Sequence, residues 1–579
     1  MTDERSVSTR DVDPADPYER EAQTFPVLDA EMVQRIAKFG TEEQLPEGAM
    51  LFSRGDRGVD FFVVLEGAVE IYDVNEKGEL RPVRVHRAHE FTGELDLFNN
   101  RRSLVNARAL EAARVIRVKR EAFRRLVSVE PDVGEIVMRA FILRRVGLIS
   151  HAQGAIVLVG PCQSADMLRI QRFLMRNGYP YRVLDTDTDE DAEGFLQCFK
   201  LSVDDLPVVV FSGDTVLRNP TNVQVADVLG FKEDLDPSIV YDVAVIGAGP
   251  SGLAVAVYAA SEGLSTLVIE ELAPGGQAGT SSKIENYLGF PTGISGQALA
   301  GRAQVQAQKF GARLAISRPV VAVDCNVRPY RVKLGDGTDV SARSVVIASG
   351  ARYRKLAVPN YERFEGRGIH YAATAIEAQL CVRQEVVVVG GGNSAGQAAV
   401  FLARSVARVY MLVRGDKLAA TMSDYLIHRI EASPRITLLL QTEIVSLEGE
   451  STLEHVQWTN RKNGETTRKG VSNVFAMLGA EPSTKWLGNC VRLDDKGFVL
   501  TAASTNVRTA PTGASPLGGK ASYGGTSATG ASPFGTSIDG VYAVGDVRAG
   551  SVKRVASAVG EGSVVVQAIH GYLSADPAR

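Results

Sequence analysis

The spacing of hydrophobic residues changes along the chain, and each change predicts a different kind of element. From residue 25 to about residue 125, apolar and polar residues alternate with glycine turns, as in "GAMLFSRGDRGVDFFVVLEGAVEIYDV". Such alternation is typical of short antiparallel strands in a barrel or jelly roll. The run that follows, "EAFRRLVSVEPDVGEIVMRAFILRRVGLI", has helical spacing. The sequence therefore predicts an N-terminal β-barrel followed by helices.

Beyond residue 154, apolar strands alternate with helical segments, which is the pattern of α/β domains. Residues 154 to 232 contain, in order, "AIVLVG", "SADMLRIQRFLMRNG", "PYRVLDTD", "DAEGFLQCFKL" and "LPVVVFSGDTVL". From Tyr241 onward, two longer units each join a strand, a glycine-rich turn and a helix. Residues 501 to 533 are mostly Gly, Ser, Thr, Ala and Pro, which predicts a mobile loop without chemistry of its own.

Composition narrows the class of protein. A chain of 579 residues is too long to fold around one hydrophobic core, so its length predicts about three or four domains. The net charge of −4 and the lack of basic runs argue against nucleic-acid binding, and no apolar stretch is long enough to span a membrane. Residues 1 to 24 are polar and acidic, so we expect a disordered lead-in and a cytoplasmic location. The five cysteines have no paired spacing, which predicts reduced, mostly buried thiols and no metal site.

Residues 25 to 150 resemble the cyclic-nucleotide-binding domains of the catabolite activator and protein kinase A regulatory families. The resemblance is carried by "RGDRGVDFFVVLEGAVEI" and "GELDLFNNRRS". It implies that Glu94 would bind a ribose hydroxyl and that Arg102 would pair with a cyclic phosphate. The loop before Arg102 is short, however, and Leu104 replaces a small alanine. We therefore expect cyclic nucleotides to bind poorly or not at all, with retained binding as the alternative.

Residues 154 to 232 resemble thioredoxin and glutaredoxin in the order of their elements. Cys162 lies between the first strand and helix, where the thiolate of that family is stabilised by a helix N-terminus. Pro207 matches the family's cis-proline. The motif is "CQSA", so the second cysteine is missing and Cys162 is either a one-thiol catalytic residue or a relic. Cys198 is expected in the core.

The stretch "YDVAVIGAGPSG" has the features of a dinucleotide-binding turn. Gly247 is expected to make the tight turn, Gly249 to let the backbone reach a pyrophosphate, and Gly252 to allow close helix packing. Glu270 follows Gly252 by 18 residues and is placed to accept from a ribose hydroxyl. Pro250 and Ser251 complete this predicted cofactor site.

A second turn of this kind and a closing motif predict a second nucleotide and a flavin. The second turn, in "EVVVVGGGNSAGQAAVFLA", supplies Gly390, Gly392, Asn393, Ser394 and Ala395. Two dinucleotide folds in one chain imply two nucleotides, one serving the other. In "GVYAVGD", Gly545 and Asp546 are placed to contact a flavin's ribityl chain. The helix that starts near Arg554 and Val555 would direct its positive end at the flavin ring.

These motifs together resemble the bacterial thioredoxin-reductase family over residues 238 to 575. Further matches are "PGGQAGTSSKIENYLGFPTGISGQAL", with Gly276, Gln277 and Asn286, and "VIASGA", with Gly350. The resemblance implies FAD and NADPH or NADH as cofactors. Of the family's 2′-phosphate signature only Arg414 remains, in "VRGDKLAA", which predicts a weak preference for NADPH.

The predicted layout is multidomain: the N-terminal β-barrel (jelly roll) with helices, an α/β thioredoxin-like domain and two α/β Rossmann-like domains. The flavin domain is expected at residues 238–357 and 484–575, and the NAD(P)H domain at residues 358–483. Because both resembled families commonly dimerise, a homodimer is expected by analogy.

The family's reactive cysteines are replaced here. Its "Y-C-A-T-C" motif aligns with "YAATA", so Ala372 and Ala375 stand in place of the cysteines. Cys381 lies nearby and is expected in the core. Three readings stay open: reduction of a disulfide involving Cys162, a thioredoxin-like partner or a small disulfide; a non-thiol acceptor such as a quinone, ferredoxin or oxygen; or a ligand-responsive sensor with little turnover. The first is preferred.

Overall fold

The computed structural model describes residues 16–74, 79–93, 95–98, 101–151, 153, 156–189, 192, 196, 201–211, 215–231, 233–418, 422–450, 452–503 and 532–575. The chain forms two compact units. The first comprises Met1–Cys162 and Asn177–Phe231, and the second comprises Gln163–Arg176 and Lys232–Arg579. Glu94, Cys198 and most of the predicted 501–533 loop lie outside the described residues. In the described part of the chain, no helix is long and apolar enough to cross a bilayer.

The first unit begins with two antiparallel sheets, as the alternating pattern predicts. The strands of one are, in sheet order, Thr41–Leu45, Ala113–Val118 and Phe61–Glu66; those of the other are Met50–Phe52, Asn106–Ala109, Val69–Val74 and Leu80–His86. Aromatic side chains fill the core, with the Phe61 and Phe123 rings 4.9 Å apart and the Phe123 and Phe141 rings 5.9 Å apart. The predicted helical run is two helices, Arg120–Val129 and Pro131–Ser150. The break falls at a proline, which favours a first helical turn.

The prediction of a disordered lead-in is wrong from Asp16 onward. The short helices Pro17–Glu19 and Glu21–Thr24 precede the barrel helix Ala30–Ala37. Tyr18 stacks on His151 at 4.8 Å between ring centroids and donates to Gln153 Oε1 at 2.7 Å. These contacts give a polar segment an ordered place on the first unit, which composition alone does not reveal.

A four-stranded sheet forms the other part of the first unit. Its order is Thr215–Arg218, Val208–Phe211, Ile156–Val159 and Tyr181–Leu184. The last two strands are parallel and the other pairings are antiparallel. The Leu206–Pro207 peptide bond is cis, as predicted. The helix Asn222–Leu229 begins at a Thr221–Gln224 capping box and ends at Gly230.

The second unit contains two sheets with a parallel core. The larger has the order Arg313–Ile316, Thr266–Glu270, Val240–Ile246, Asp339–Ile347, Tyr330–Leu334 and Val320–Asp324, and Val541–Ala543 also pairs with Asp339–Ile347. The other has the order Ile369–His370, Val474–Ala476, Glu385–Val389, Arg408–Val413 and Ile436–Leu440. The chain therefore leaves the larger sheet after Ile347 and returns to it at Val541.

Smaller sheets and helices complete this unit. The antiparallel strands Thr442–Glu448, His455–Asn460 and Thr466–Gly470 form one sheet, and Ala351–Tyr353 pairs with Ala480–Pro482. The described helices of eight residues or more are Ala165–Arg176, Pro250–Ser261, Gly296–Lys309, Asn393–Leu402, Asp424–Ala432 and Val555–Ala575. Apolar faces of Pro250–Ser261 and Val555–Ala575 contribute Val255 and Val565 to one core cluster beside the larger sheet.

The cysteine prediction needs correction. Cys325 and Cys490 form a disulfide across 165 residues of sequence, with their Cα atoms 5.7 Å apart. This separation is within the range that a disulfide spans. Cys325 follows the strand Val320–Asp324, and Cys490 follows the short helix Lys485–Leu487, so the fold brings together two thiols that the spacing of cysteines does not pair.

Candidate functional site

The first glycine turn has the geometry that its spacing predicts. Gly247 follows the strand Val240–Ile246 with φ at +106°, and a Cβ there would lie 2.4 Å from the Ala348 carbonyl oxygen. A Cβ at Gly252 would lie 1.9 Å from the Gly247 carbonyl oxygen, so only glycine allows the close packing of the turn on the helix. A Cβ on Gly249, by contrast, would meet nothing nearer than the Gly276 Cα at 4.0 Å, and Gly249 is the N-cap of the helix that starts at Pro250. The backbone is therefore open to a ligand at Gly249.

Glu270 holds the loop beside this turn. It ends the strand Thr266–Glu270, and its carboxylate accepts from the backbone N–H groups of Ala248 at 2.8 Å and Leu272 at 3.0 Å. The side chain also lines the large cavity described next. Its orientation is thus fixed by the protein before any ribose hydroxyl arrives.

A cavity of about 1130 Å³ runs from the first glycine turn to the second. Its volume exceeds the roughly 300–1,000 Å³ usual for small-molecule sites, as two dinucleotides would require. The predicted residues that line it are Gly247, Gly249, Pro250, Ser251, Glu270, Gly276, Gln277, Asn286, Gly350, Gly390, Gly392, Asn393, Ser394, Arg414, Asp546, Arg554 and Val555. Three predicted residues do not line the cavity and instead pack behind the turns: Gly252, Gly545 and Ala395.

Polar contacts hold the second turn in place and link its side of the cavity to that of the first turn. Ser394, at the start of the helix Asn393–Leu402, shares a hydrogen bond with Tyr353 at 2.8 Å between their oxygens. The Asn393 amide oxygen accepts from the Ser423 N–H at 2.7 Å. Arg429 pairs with Glu285 across the same region. Residues from both glycine turns therefore face one continuous space.

The C-terminal motif places a carboxyl group in this cavity. Burial raises the pKa of Asp546, an effect that the Lys553 ammonium opposes. Lys553 also donates to the Asp546 carbonyl oxygen at 3.1 Å. The Gly545 N–H donates to Glu561 at 2.7 Å, and Glu561 pairs with Arg548 at 2.5 Å. Two layers of contacts therefore hold the Asp546 loop at the start of the last helix.

The cavity fits a flavin dinucleotide by its local chemistry. Gly249 and Gly350 leave their sides toward it unobstructed, and the N-terminus of the helix Pro250–Ser261 supplies orphan N–H groups for a diphosphate. Carboxylates of Glu270 and Asp546 are available for hydroxyl groups. Such an extended polar site beside an open glycine turn suits one long cofactor better than a compact metabolite.

The "YAATA" segment lies elsewhere. Among the described residues around the cavity, neither Ala372 nor Ala375 is present. Thr374 caps the helix Ala375–Leu380 through a capping box with Glu377, and Ala375 is exposed. Alanine offers no nucleophile, so this segment cannot relay electrons by thiol chemistry.

The two free cysteines of the described residues differ in how they match the sequence prediction. Cys381 is fully buried in the core, as predicted. Cys162 was expected to have a lowered pKa, and this is wrong: burial and the Asp185 carboxylate raise the pKa of its thiol to about 12. Asp185 Oδ1 also accepts from the Cys162 N–H at 3.1 Å. Burial and the neighbouring carboxylate both favour the neutral thiol over the thiolate.

The barrel contains a small cavity of about 60 Å³. Its charged lining residues are Arg84, Arg101 and Arg144, and Arg102 is not among the described residues that line it. Arg102 is exposed, with Nη1 3.5 Å from the Gly55 carbonyl oxygen. Leu104 is fully buried. The predicted effector residue thus lies away from the space inside the barrel.

The residues lining the large cavity that sequence reasoning missed include Arg176, Tyr353 and Lys553. Lys553 adjoins the predicted Arg554, so the basic pair in "VKR" was an available signal. Tyr353 follows Gly350 closely. Arg176 belongs to a segment about 70 residues before the first glycine turn, and no local pattern identifies it.

Comparison with known proteins now identifies the two parts of the chain. Residues 241–511 match the family described as "Pyridine nucleotide-disulphide oxidoreductase", and residues 42–130 match "Cyclic nucleotide-binding domain". Thioredoxin reductase of Mycolicibacterium smegmatis is 34% identical over 56% of this chain and 93% of its own length. That of Treponema pallidum is 32% identical over 58% and 97%.

A solved structure agrees with these relatives. Thioredoxin reductase of Lactococcus lactis superposes with a TM-score of 0.50 and 27% identity, covering 58% of this chain and 99% of that protein. Residues 42–130, which match the cyclic-nucleotide-binding domain, lie outside residues 241–511, which match the oxidoreductase family. The cofactors of this family are FAD and NADPH. The chain belongs to the thioredoxin reductase family of pyridine nucleotide-disulphide oxidoreductases and carries a cyclic-nucleotide-binding domain in front of its flavoenzyme part.

Proposed function

We propose that FAD and NADPH occupy the large cavity together, FAD at the turn of Gly247 and Gly249 and NADPH at the turn of Gly390 and Gly392. The observation that carries this proposal is the continuity of one cavity lined by both turns. When bound, FAD supplies a two-electron acceptor for the hydride of NADPH. Hydride transfer requires the reacting atoms to approach within about 3.5 Å, which two separate pockets would prevent.

The residues of the cavity have distinct roles in this proposal. The helix N-terminus after Gly249 holds the diphosphate of FAD, and Glu270 accepts from the ribose. Asp546 contacts the ribityl chain. Because Tyr353 and Ser394 are hydrogen-bonded to one another, they tie the two nucleotide sites together and limit their separation.

The finer domain layout is also a proposal. We assign residues 25–150 to the cyclic-nucleotide-binding-like domain, 154–232 to a thioredoxin-like domain, 238–357 with 484–575 to the FAD domain, and 358–483 to the NAD(P)H domain. The pairing of Val541–Ala543 with Asp339–Ile347 supports a split FAD domain. The mixed four-stranded sheet supports the thioredoxin-like assignment. A homodimer stays a prediction by analogy.

The proposed acceptor is a disulfide. It belongs to a thioredoxin-like partner or to a small molecule, or it is a mixed disulfide that includes Cys162. Reduced flavin would give two electrons and two protons to the disulfide, which yields two thiols. Since Ala372 and Ala375 supply no sulfur, the acceptor must bring its own. Cys162 is the half-exposed free thiol of the described residues, whereas Cys381 is buried.

A non-thiol acceptor is the second candidate. It is favoured by the raised pKa of Cys162, which burial and Asp185 cause, since a protonated thiol reacts slowly with disulfides. A quinone, a ferredoxin or oxygen would accept electrons from the flavin without any cysteine. A ligand-responsive sensor with little turnover would show flavin reduction but no efficient acceptor.

One experiment separates these candidates. The FAD-loaded full chain is reduced anaerobically with NADPH or NADH, and its reoxidation by disulfides, quinones, ferredoxin and oxygen is followed by flavin absorbance. The same panel is run on Cys162→Ser. Disulfide turnover that Cys162→Ser abolishes supports the mixed-disulfide route, and turnover that survives supports an external disulfide. Efficient reoxidation by non-thiol acceptors alone would replace the proposal with the second candidate.

A further inference from the structure

The helix Ala165–Arg176 is part of the second unit, although the chain on both sides of it belongs to the first. Its side chains and backbone make contacts along its whole length. At its start, a Cβ on Gly366 would lie 3.0 Å from the Ala165 Cβ. In its third turn, Arg172 Nε donates to Glu377 Oε1 at 2.7 Å. At its end, the Gln297 amide donates to the Met175 carbonyl oxygen. The helix is therefore fixed to the flavoenzyme part at three points.

The last residue of this helix, Arg176, reaches the large cavity. Its Nη2 donates to the Gly276 carbonyl oxygen at 3.0 Å and, more weakly, approaches that of Ala273 at 3.4 Å. Gly276 in turn adjoins Gly249, because a Cβ on Gly276 would lie 3.0 Å from the Gly249 Cα. Arg176 therefore contacts Gly276, and Gly276 lies against Gly249, the open position of the first glycine turn.

Some N–H donors of the Arg176 guanidinium have no acceptor among the described residues. An arginine carries five N–H groups, and two of them belong to Nη2. Neither Nε nor Nη1 has a hydrogen-bond partner among the described residues, and Nε is buried. Burial lowers the pKa of Arg176, and the nearby Glu270 carboxylate opposes this effect. A cation whose Nε is buried without an acceptor is costly unless a ligand satisfies it.

We propose that Arg176 is a FAD-binding residue whose guanidinium donates to the diphosphate of the cofactor beside Gly249 and Gly276. This inference rests on the proposed position of FAD. It adds to the glycine turn a cation from outside the part of the chain that resembles thioredoxin reductase. A diphosphate at this point meets the helix N-terminus on one side and the arginine on the other, and both favour negative charge.

The test compares FAD binding by three apo-proteins made from the full chain: wild type, Arg176→Met and Arg169→Met. Arg169 lies on the same helix and pairs with Asp166 at the surface, so its variant controls for loss of a helical arginine. Flavin fluorescence gives the Kd of FAD, and riboflavin serves as a probe without phosphate. We expect the Kd of FAD to rise about tenfold or more in Arg176→Met, the effect of losing a charge-assisted hydrogen bond, and riboflavin binding to stay unchanged.

Thermal unfolding separates ligand binding from a purely structural role. If Arg176 binds the diphosphate, the increase in Tm that FAD produces should shrink in Arg176→Met, and Arg176→Lys should restore part of it. An unchanged Kd for FAD in Arg176→Met would overturn the inference. So would a Kd that rises equally for FAD and riboflavin, which would mean that Arg176 only holds the Gly276 loop. Failure of the wild type to bind FAD would instead refute the proposed function itself.

Discussion

Arg172 and Glu377 form an ion pair, 2.7 Å between Nε and Oε1, in which the carboxylate is fully buried and the guanidinium is 31% exposed. The second carboxylate oxygen of Glu377 accepts from the Thr374 N–H at 2.8 Å and from the Thr374 hydroxyl. Arg172 Nη2 lies 3.3 Å from His370 Nδ1. One arginine from a helix far earlier in the chain thus neutralises a buried carboxylate two residues after Ala375.

Removing Arg172 should destabilise the flavoenzyme part. In Arg172→Met, the Glu377 carboxylate loses its countercharge while still buried, and we expect a loss of about 2–3 kcal/mol, reduced from the usual cost because Arg172 is partly exposed. Denaturation of the FAD-loaded chain, followed by flavin fluorescence, measures the loss. Arg169→Met is the control, with less than about 0.5 kcal/mol expected for its exposed pair. Equal losses in both variants would show that the buried Arg172–Glu377 pair stabilises the protein no more than the exposed Arg169–Asp166 pair does.

The same cluster predicts a dependence of stability on pH. Burial, with a contribution from Arg172, lowers the pKa of His370, while its hydrogen bond to Asn473 opposes the shift. Since a guanidinium only donates, His370 Nδ1 must accept, and the folded imidazole is neutral. Below about pH 6.5 the unfolded chain binds a proton at this histidine that the folded chain does not. Stability should therefore fall as the pH drops from 7 toward 5.

His370→Gln should flatten this part of the pH profile, because glutamine does not titrate but can accept from Arg172 and donate to Asn473. The pKa of Glu377 is also lowered: burial alone would raise it, but the Arg172 charge and the hydrogen bond from Thr374 together outweigh that effect. Its contribution is present above the unfolded pKa and is lost only at lower pH, as the folded group takes up its proton. Parallel profiles for wild type and His370→Gln between pH 7 and 5 would contradict the assignment.

Discrimination between NADPH and NADH should be weak. Arg414 and Lys417 line the cavity where a 2′-phosphate would lie, but Asp416 lies between them and repels it. We expect a preference for NADPH below about a hundredfold, near 2.7 kcal/mol. Arg414→Ala should raise the KM for NADPH about tenfold with little effect on NADH, whereas Asp416→Asn should increase the preference. Stopped-flow flavin reduction measures all three; a preference above a hundredfold in the wild type would exclude weak discrimination.

The sequence predicts local features of the site better than distant ones. Gly247, Gly249 and Gly252 act within one turn, so their spacing alone indicates the shape of the backbone, and Glu270 ends the adjacent strand. Arg176 lies about 100 residues from Gly276 along the chain. Nothing in its neighbourhood of sequence reveals that contact.

The cysteines show the same limit. The Cys325–Cys490 disulfide depends on the return of the chain after the second sheet, which the spacing of cysteines does not encode. At Cys162, the sequence correctly indicates a strand before it and a helix after it. Its pKa is raised by burial and by the carboxylate of Asp185, which follows the next strand of the sheet. Tertiary neighbours, rather than the local helix, decide the chemistry of this thiol.

The barrel should not bind cyclic nucleotides tightly. Its cavity of about 60 Å³ is far smaller than the roughly 300 Å³ at the lower end of ligand sites, and Arg102 does not line it. Calorimetric titration of the full chain with cAMP and cGMP should show no micromolar binding. Micromolar binding that Arg102→Ala abolishes would show instead that the barrel opens to admit a nucleotide.

Cys162 should react slowly at neutral pH, because burial and the Asp185 carboxylate both disfavour its thiolate. With a pKa of about 12, its thiolate is scarce at pH 7, so iodoacetamide should modify it more slowly than a model-peptide thiol. Asp185→Asn removes the negative charge and keeps a carbonyl acceptor for the Cys162 N–H, so alkylation should accelerate several-fold. Asp187→Asn is the matched control, because the Asp187 carboxylate also raises the pKa but less than Asp185 does. If disulfide reduction passes through Cys162, Asp185→Asn should speed formation of the mixed disulfide while leaving flavin reduction by NADPH unchanged. Fast alkylation of the wild-type thiol, unaffected by Asp185→Asn, would refute this account of its environment.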